Sequence, residues 1–136
     1  MGISLKFIGI IATTGALLFG GISFPQTTKA QPNCYAKGSV NVSSSKASED
    51  ISFQANGDFQ PKIDLTFYGD KNGSADATIN QPDGLMVGYK SFNYTTNKQT
   101  KTLVLSDKKL KKGSYKLYFT NGGDRTLHIT SYCIYG

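Results

Sequence analysis

Lys108, Lys109, Lys111 and Lys112, with Lys116 close behind, carry the densest charge in the chain. Ammonium groups this crowded attract an anionic envelope polymer, an acidic glycan or an anionic lipid surface. The commoner role of such a cluster is a solvated loop that keeps a sheet edge from pairing with another chain. A second pattern is Asp70, Asn72, Ser74 and Asp76, which place side-chain oxygens at alternate positions. Oxygen is the donor that a hard cation such as calcium takes. The helical calcium loop fails here, because Gly73 stands fourth instead of sixth and Gln81 replaces the glutamate of the last position. A hairpin with Asn72-Gly73 at its tip explains the same residues, so these four are candidate ligands and no metal is expected.

Tyrosine is the third candidate chemistry. The chain has eight tyrosines, eight phenylalanines and no tryptophan. Tyr68, Tyr118 and Tyr132 are expected on the polar faces of strands. There they pack across strands with wet hydroxyls, or form a flat platform for a sugar or a partner protein. The lack of tryptophan weakens the sugar reading.

Catalysis finds few parts. His128 is the single histidine, on the expected polar side of the last strand, where it serves surface or cross-strand packing. No serine sits in a Gly-x-Ser-x-Gly elbow. One histidine cannot assemble a zinc site. Glu49 adjoins Asp50 in a polar loop, and most aspartates stand in or beside turns, where they bond backbone amides. Neither an enzyme nor a cofactor is expected.

The elements that position these residues begin with a leader. Lys6 precedes an uncharged apolar run over 7–24, and Thr28 and Ala30 are small enough to flank a cleavage site. Residues 1–30 read as a secretory signal peptide of bacterial type, with a retained anchor as the alternative. Residues 31–136 then form a single secreted domain, extracellular or on the cell surface. Outside the cell Cys34 and Cys133 are expected to pair as one disulfide, tying the first strand to the last. The formal charge of +6 falls to +4 once Lys6 and Lys29 leave. Arg125 is the only arginine, and lysine alone does not suit base-edge recognition, so no nucleic-acid partner is expected.

Apolar residues recur with period two between glycine, asparagine, aspartate and proline breaks. Strands are expected around Val40–Val42, Ile51–Ala55, Ile63–Tyr68, Ala75–Ile79, Leu85–Tyr94, Leu103–Leu105, Tyr115–Thr120 and Leu127–Ile134. Leu127, Ile129, Ser131 and Cys133 are expected on one face of the last strand, and His128, Thr130, Tyr132 and Ile134 on the other. Asp107–Gly113 is a lysine-rich connection with room for one helical turn. The fold class is all-β: a two-layer antiparallel β-sandwich of seven or eight strands, jelly-roll or immunoglobulin-like. The stretch Gly113-Ser114-Tyr115-Lys116-Leu117 is similar to the strand starts of secreted bacterial sandwich modules, including accessory domains of exported peptidases. That resemblance implies a binding or structural accessory role.

These readings converge on a secreted, non-enzymatic protein that binds an envelope polymer, a glycan or another secreted protein. One alternative is a toxin or bacteriocin-like effector at anionic membranes, though no strongly basic amphipathic helix supports firm membrane association. The other is a self-assembling surface protein built on exposed strand edges and tyrosines.

Overall fold

A computed structural model describes residues 33–136. The expected leader, with its anchor alternative, lies outside the described residues. Eight strands run through them: β1 (Ala36–Val42), β2 (Ile51–Ala55), β3 (Lys62–Gly69), β4 (Gly73–Asn80), β5 (Met86–Tyr94), β6 (Gln99–Val104), β7 (Gly113–Asn121) and β8 (Leu127–Tyr135). They form two antiparallel sheets, ordered β1-β8-β3-β6 and β2-β7-β4-β5. The first is called sheet A and the second sheet B below.

This order is that of a rolled ribbon. β1 pairs with β8, β2 with β7, β3 with β6 and β4 with β5, as if one long hairpin had been wound into two layers. The pairing continues through the corners as isolated bridges, Ala47 with Thr120 and Phe59 with Leu110. Of the two sandwich types expected, this is the jelly roll.

Alternation in the sequence sets the two layers. In β3, Ile63, Leu65 and Phe67 are buried, and in β7 Tyr115, Leu117 and Phe119 are buried, while the residues between them face outward. Ala75, Ala77 and Ile79 do the same in β4, which is an interior strand of sheet B despite its small side chains. Cys34 and Cys133 are bonded, with Cα atoms 5.3 Å apart across 99 positions of sequence. Closing a loop of this length contributes about 4.7 kcal/mol in the chain-entropy treatment.

A β-bulge in β8 corrects the expected last strand. Thr66 pairs with Ser131 but Phe67 with Ile129, so Thr130 is an extra residue. An extra residue reverses which face the following side chains take. Leu127 and Ile129 point inward as expected, but beyond the bulge Tyr132 and Ile134 are the buried pair. Tyr132 therefore does not stand on a polar face. Its ring packs 6.1 Å from that of Phe119, and burial pushes its hydroxyl pKa up.

Two further expectations change. Asn72-Gly73 is not a hairpin tip, because β3 belongs to sheet A and β4 to sheet B; the segment is a corner between layers. A Cβ at Gly69 or Gly73 would collide with the ring of buried Tyr94, so glycine is required for this close approach. The Tyr94 hydroxyl donates to Asn121 Oδ1 at 2.6 Å. Asn121, 1% exposed, donates in turn to the carbonyls of Val42 and Arg125 at 3.0 and 2.7 Å. The lysine connection has no helical turn: Phe59 and Leu110 exchange backbone bonds of 2.9 and 2.7 Å across it.

Candidate functional site

Each sheet presents one outward face, and the two differ. On sheet B, register places outward side chains in rows that cross the strands. Ser114 and Gln54 form the first row, with Ser114 Oγ donating to Gln54 Oε1 at 2.6 Å. Ser52, Lys116, Asn80 and Met86 form the second. Tyr118, Thr78 and Tyr89 form the third, and Thr120, Asp76 and Ser91 the fourth, where Ser91 donates to Asp76.

The third row sets the character of this face. Thr78 points outward yet is only 5% exposed, because Tyr118 and Tyr89 flank it on the neighbouring strands. The two tyrosines are two strand spacings apart, about 9.6 Å. Tyr89 and Met86 are each 54% exposed and Leu85 is 59% exposed, so apolar surface lies beside the row. Asn80 Oδ1 is buried in the second row and meets no hydrogen-bond donor among the described residues. Such an atom has lost its bonds to water without gaining a partner. At the foot of the rows an open depression of about 530 Å³ is lined by Ser52, Gln54, Pro82, Ser114, Tyr115 and Lys116, among others.

Sheet A's outward face is occupied by its own bonds. Tyr68 stacks on His128 at 4.8 Å between ring centroids. His128 Nδ1 lies 3.0 Å from Asn41 Oδ1, and Nε2 lies 2.8 Å from Asp70 Oδ1. Asp64 accepts from Thr102 at 2.7 Å and from Tyr135 at 2.9 Å. The Thr66 and Thr100 hydroxyls meet at 3.2 Å.

The sequence candidates are therefore divided. Tyr118 and Lys116 share sheet B's face, Tyr68 stands on the opposite side of the sandwich, and Tyr132 is in the core. Lys116 Nζ is 3.8 Å from Asp50 Oδ2. Lys108, Lys109, Lys111 and Lys112 lie on the connection between β6 and β7, all exposed. That connection ends at Gly113, whose φ of 147° favours glycine, one residue before Ser114 in the first row.

The four candidate cation ligands diverge as well. Asp70 faces His128 on sheet A's side, whereas Asp76 is bonded to Ser91 on sheet B's face. Among the described residues, no three His, Cys, Asp or Glu side chains gather closely enough to hold a metal ion.

Sequence reasoning missed Thr78, Asn80, Met86, Tyr89 and Ser91. The expected strand over Leu85–Tyr94 carries apolar residues at Leu85, Val87 and Tyr89 and again at Phe92 and Tyr94. A clue lay in the spacing, since Tyr89 has the opposite parity to Phe92 and Tyr94. The two buried aromatics fix β5's inward face, so Tyr89 must point out.

No protein-family model and no curated protein matches the sequence. Among solved structures, the chain is similar to the carbohydrate-binding module CBM36 in complex with calcium and xylotriose. The identity is 15%, with 77% of this chain and 92% of that one covered, at a TM-score of 0.50. TmCBM61 in complex with β-1,4-galactotriose matches at 11% identity over 71% of this chain and 69% of that one, with a TM-score of 0.49. Arabinose-bound MgGH51 α-L-arabinofuranosidase matches at 12% identity over 71% of this chain, with a TM-score of 0.49, and the match spans 19% of the enzyme. At such identities the likeness to CBM36 is one of fold: a jelly-roll sandwich of the kind found in a carbohydrate-binding module.

Proposed function

We propose that this chain is an exported, non-catalytic glycan-binding domain, and that sheet B's outward face holds the sugar. The observation that carries this reading is the Tyr118–Thr78–Tyr89 row. Sugars present apolar C–H faces ringed by hydroxyls. Two tyrosines on alternate strands offer flat surfaces for the rings. The hydroxyl, amide and carboxylate groups of the adjoining rows bond the sugar hydroxyls between them. Tyrosine orders at small entropic cost, because it has only two side-chain torsions. The separation of the two rings suits every second unit of an extended polysaccharide lying across the strands.

The non-catalytic part of the reading is supported by what the candidate groups already do. Both cysteines are in the disulfide, both His128 nitrogens face oxygens, and Asp64 and Asp76 are bonded on opposite faces of the sandwich. The fold shared with CBM36 supports a glycan partner.

The test is retention of the purified protein on immobilised xylan, galactan and polygalacturonate, with released sugars assayed in parallel. Binding to at least one of them without turnover is expected, and the Tyr89→Ala/Tyr118→Ala protein should lose it. Turnover of any of them, or retention unchanged by the double substitution, contradicts the reading.

A further inference from the structure

Among the described residues Lys71 pairs with Asp124 and Lys116 with Asp50, and His128 Nε2 lies against Asp70 Oδ1. Lys108, Lys109, Lys111 and Lys112 enter none of these contacts. Their backbone is nevertheless pinned. Leu110 is bridged to Phe59, the Lys112 amide donates to Asp58 Oδ1 at 3.2 Å, and the Lys111 carbonyl accepts the Tyr115 hydroxyl at 2.6 Å. Tyr115 and Ser114 line the depression at the foot of the tyrosine rows. The four exposed ammonium groups thus stand at one end of the polar face, on a segment that needs little further ordering to meet a ligand.

Nearby carboxylates cancel them only in part: Asp58, 3.2 Å from the Lys112 amide, offsets one charge, and Asp50 is paired with Lys116 instead. Asp107 is the one acidic residue within the lysine segment. Lysine is a hydrated point charge without a fixed fork, which suits repeated contact with regularly spaced anions over one bidentate grip.

We infer that the ligand of this face is an anionic polysaccharide long enough to cover two places at once, with some units over Tyr118 and Tyr89 and others, after the chain turns along β7, setting carboxylate or phosphate groups against Lys108, Lys109, Lys111 and Lys112, about 20 Å away at six residues' rise. This rests on the glycan-binding reading above and narrows it to a charged substrate class. Attraction of this kind is screened by salt and raises local ligand concentration.

The experiment compares polygalacturonate, hyaluronate and alginate, each with its carboxyl-esterified counterpart, by calorimetry in low and physiological salt. Poly(glycerol phosphate) is the phosphate arm, and vesicles of phosphatidylglycerol are the lipid arm. At least one anionic polymer should bind about tenfold or more tightly than its neutral counterpart or neutral galactan, a steering effect of the expected size, and salt should erase the difference. Binding to a uronate polymer assigns the anion as carboxylate, whereas binding confined to poly(glycerol phosphate), which has no sugar ring to lie over the tyrosines, overturns the inference. The protein carrying Lys108→Ser, Lys109→Ser, Lys111→Ser and Lys112→Ser should lose the preference and keep its binding to neutral galactan. Its melting temperature is read alongside, and the esterified ligands test the same claim on the unaltered protein.

Equal binding of charged and neutral forms overturns the inference and leaves the glycan reading standing. So does a preference that survives the four substitutions in a folded protein. Tighter binding to the vesicles than to every polysaccharide overturns it in favour of a membrane ligand. Failure to bind any polysaccharide overturns both readings together.

Discussion

The outward faces of the two sheets are built from the same residue types and behave differently. Sheet A's face has a tyrosine, a histidine, aspartates and threonines, and they bond one another: Tyr68 to His128, His128 to Asn41 and Asp70, Asp64 to Thr102 and Tyr135. Sheet B's face has tyrosines, threonines, asparagine and aspartate in similar density, yet Tyr89 and Met86 stand exposed. A polar face whose groups satisfy one another gains little from a ligand, because docking must first break those bonds. A face with exposed rings gains from being covered. The disulfide adds to the contrast. Lys37 pairs with Cys133 across β1 and β8, so the covalent tie lies in sheet A, the side whose outward groups bond one another.

The largest effect that tests this contrast is on stability. Leu117→Ala removes a fully buried side chain beneath sheet B and is expected to cost about 2–5 kcal/mol, read from denaturant melts. Cys34→Ser/Cys133→Ser should cost about 2–5 kcal/mol. It should leave glycan affinity unchanged wherever the protein remains folded, and reduced affinity in a folded double variant would show that sheet A's tie also shapes sheet B. Next in size is ligand binding. Tyr89→Ala/Tyr118→Ala is expected to cost about 2 kcal/mol or more in binding, the range of interface hot spots, or roughly thirtyfold in Kd. Tyr68→Ala, the matched change on sheet A, should leave Kd unaltered, and an equal loss there would erase the distinction between the faces.

A smaller effect is expected at His128. His128→Ala removes hydrogen bonds on sheet A's face and should lower stability by about 1 kcal/mol with no change in glycan binding. The smallest is a pH effect. Burial holds the hydroxyls of Tyr94, Tyr115, Tyr132 and Tyr135 above their ordinary value of 10.0. Above that pH the unfolded chain releases these protons first, so the folded state loses stability. The contribution is fully present below about pH 10 and declines as pH climbs through the raised values. A melting temperature that rises from pH 9 to pH 11 would contradict this assignment.

Much of the fold was legible because burial writes itself into a strand as alternation. Ile63-Asp64-Leu65-Thr66-Phe67 and Tyr115-Lys116-Leu117-Tyr118-Phe119 each show which residues face inward. The disulfide followed from two cysteines near the ends of the expected domain. Alternation failed where the strand changed phase: no local signal marks Thr130 as a bulge, so Tyr132 was assigned to the wrong face. It also failed at Asn72-Gly73, where the same turn residues serve a hairpin or a corner between sheets, and long-range pairing decides. The site was legible only in part. Lys116 and Tyr118 lie on one strand and share a face by their spacing. Their meeting with Thr78 and Tyr89 depends on the order β7-β4-β5, which arises from rolling the ribbon and is not encoded in any single segment.

The most direct test is to record backbone amide shifts while oligosaccharides of xylan, galactan and polygalacturonate are titrated in turn. The account predicts that at least one of them moves the amides of Thr78, Tyr89, Ser91 and Tyr118 together, while those of Asn41, Tyr68 and His128 stay in place. Shifts centred on Asn41, Tyr68 and His128, or none with any of the three sugars, would contradict it.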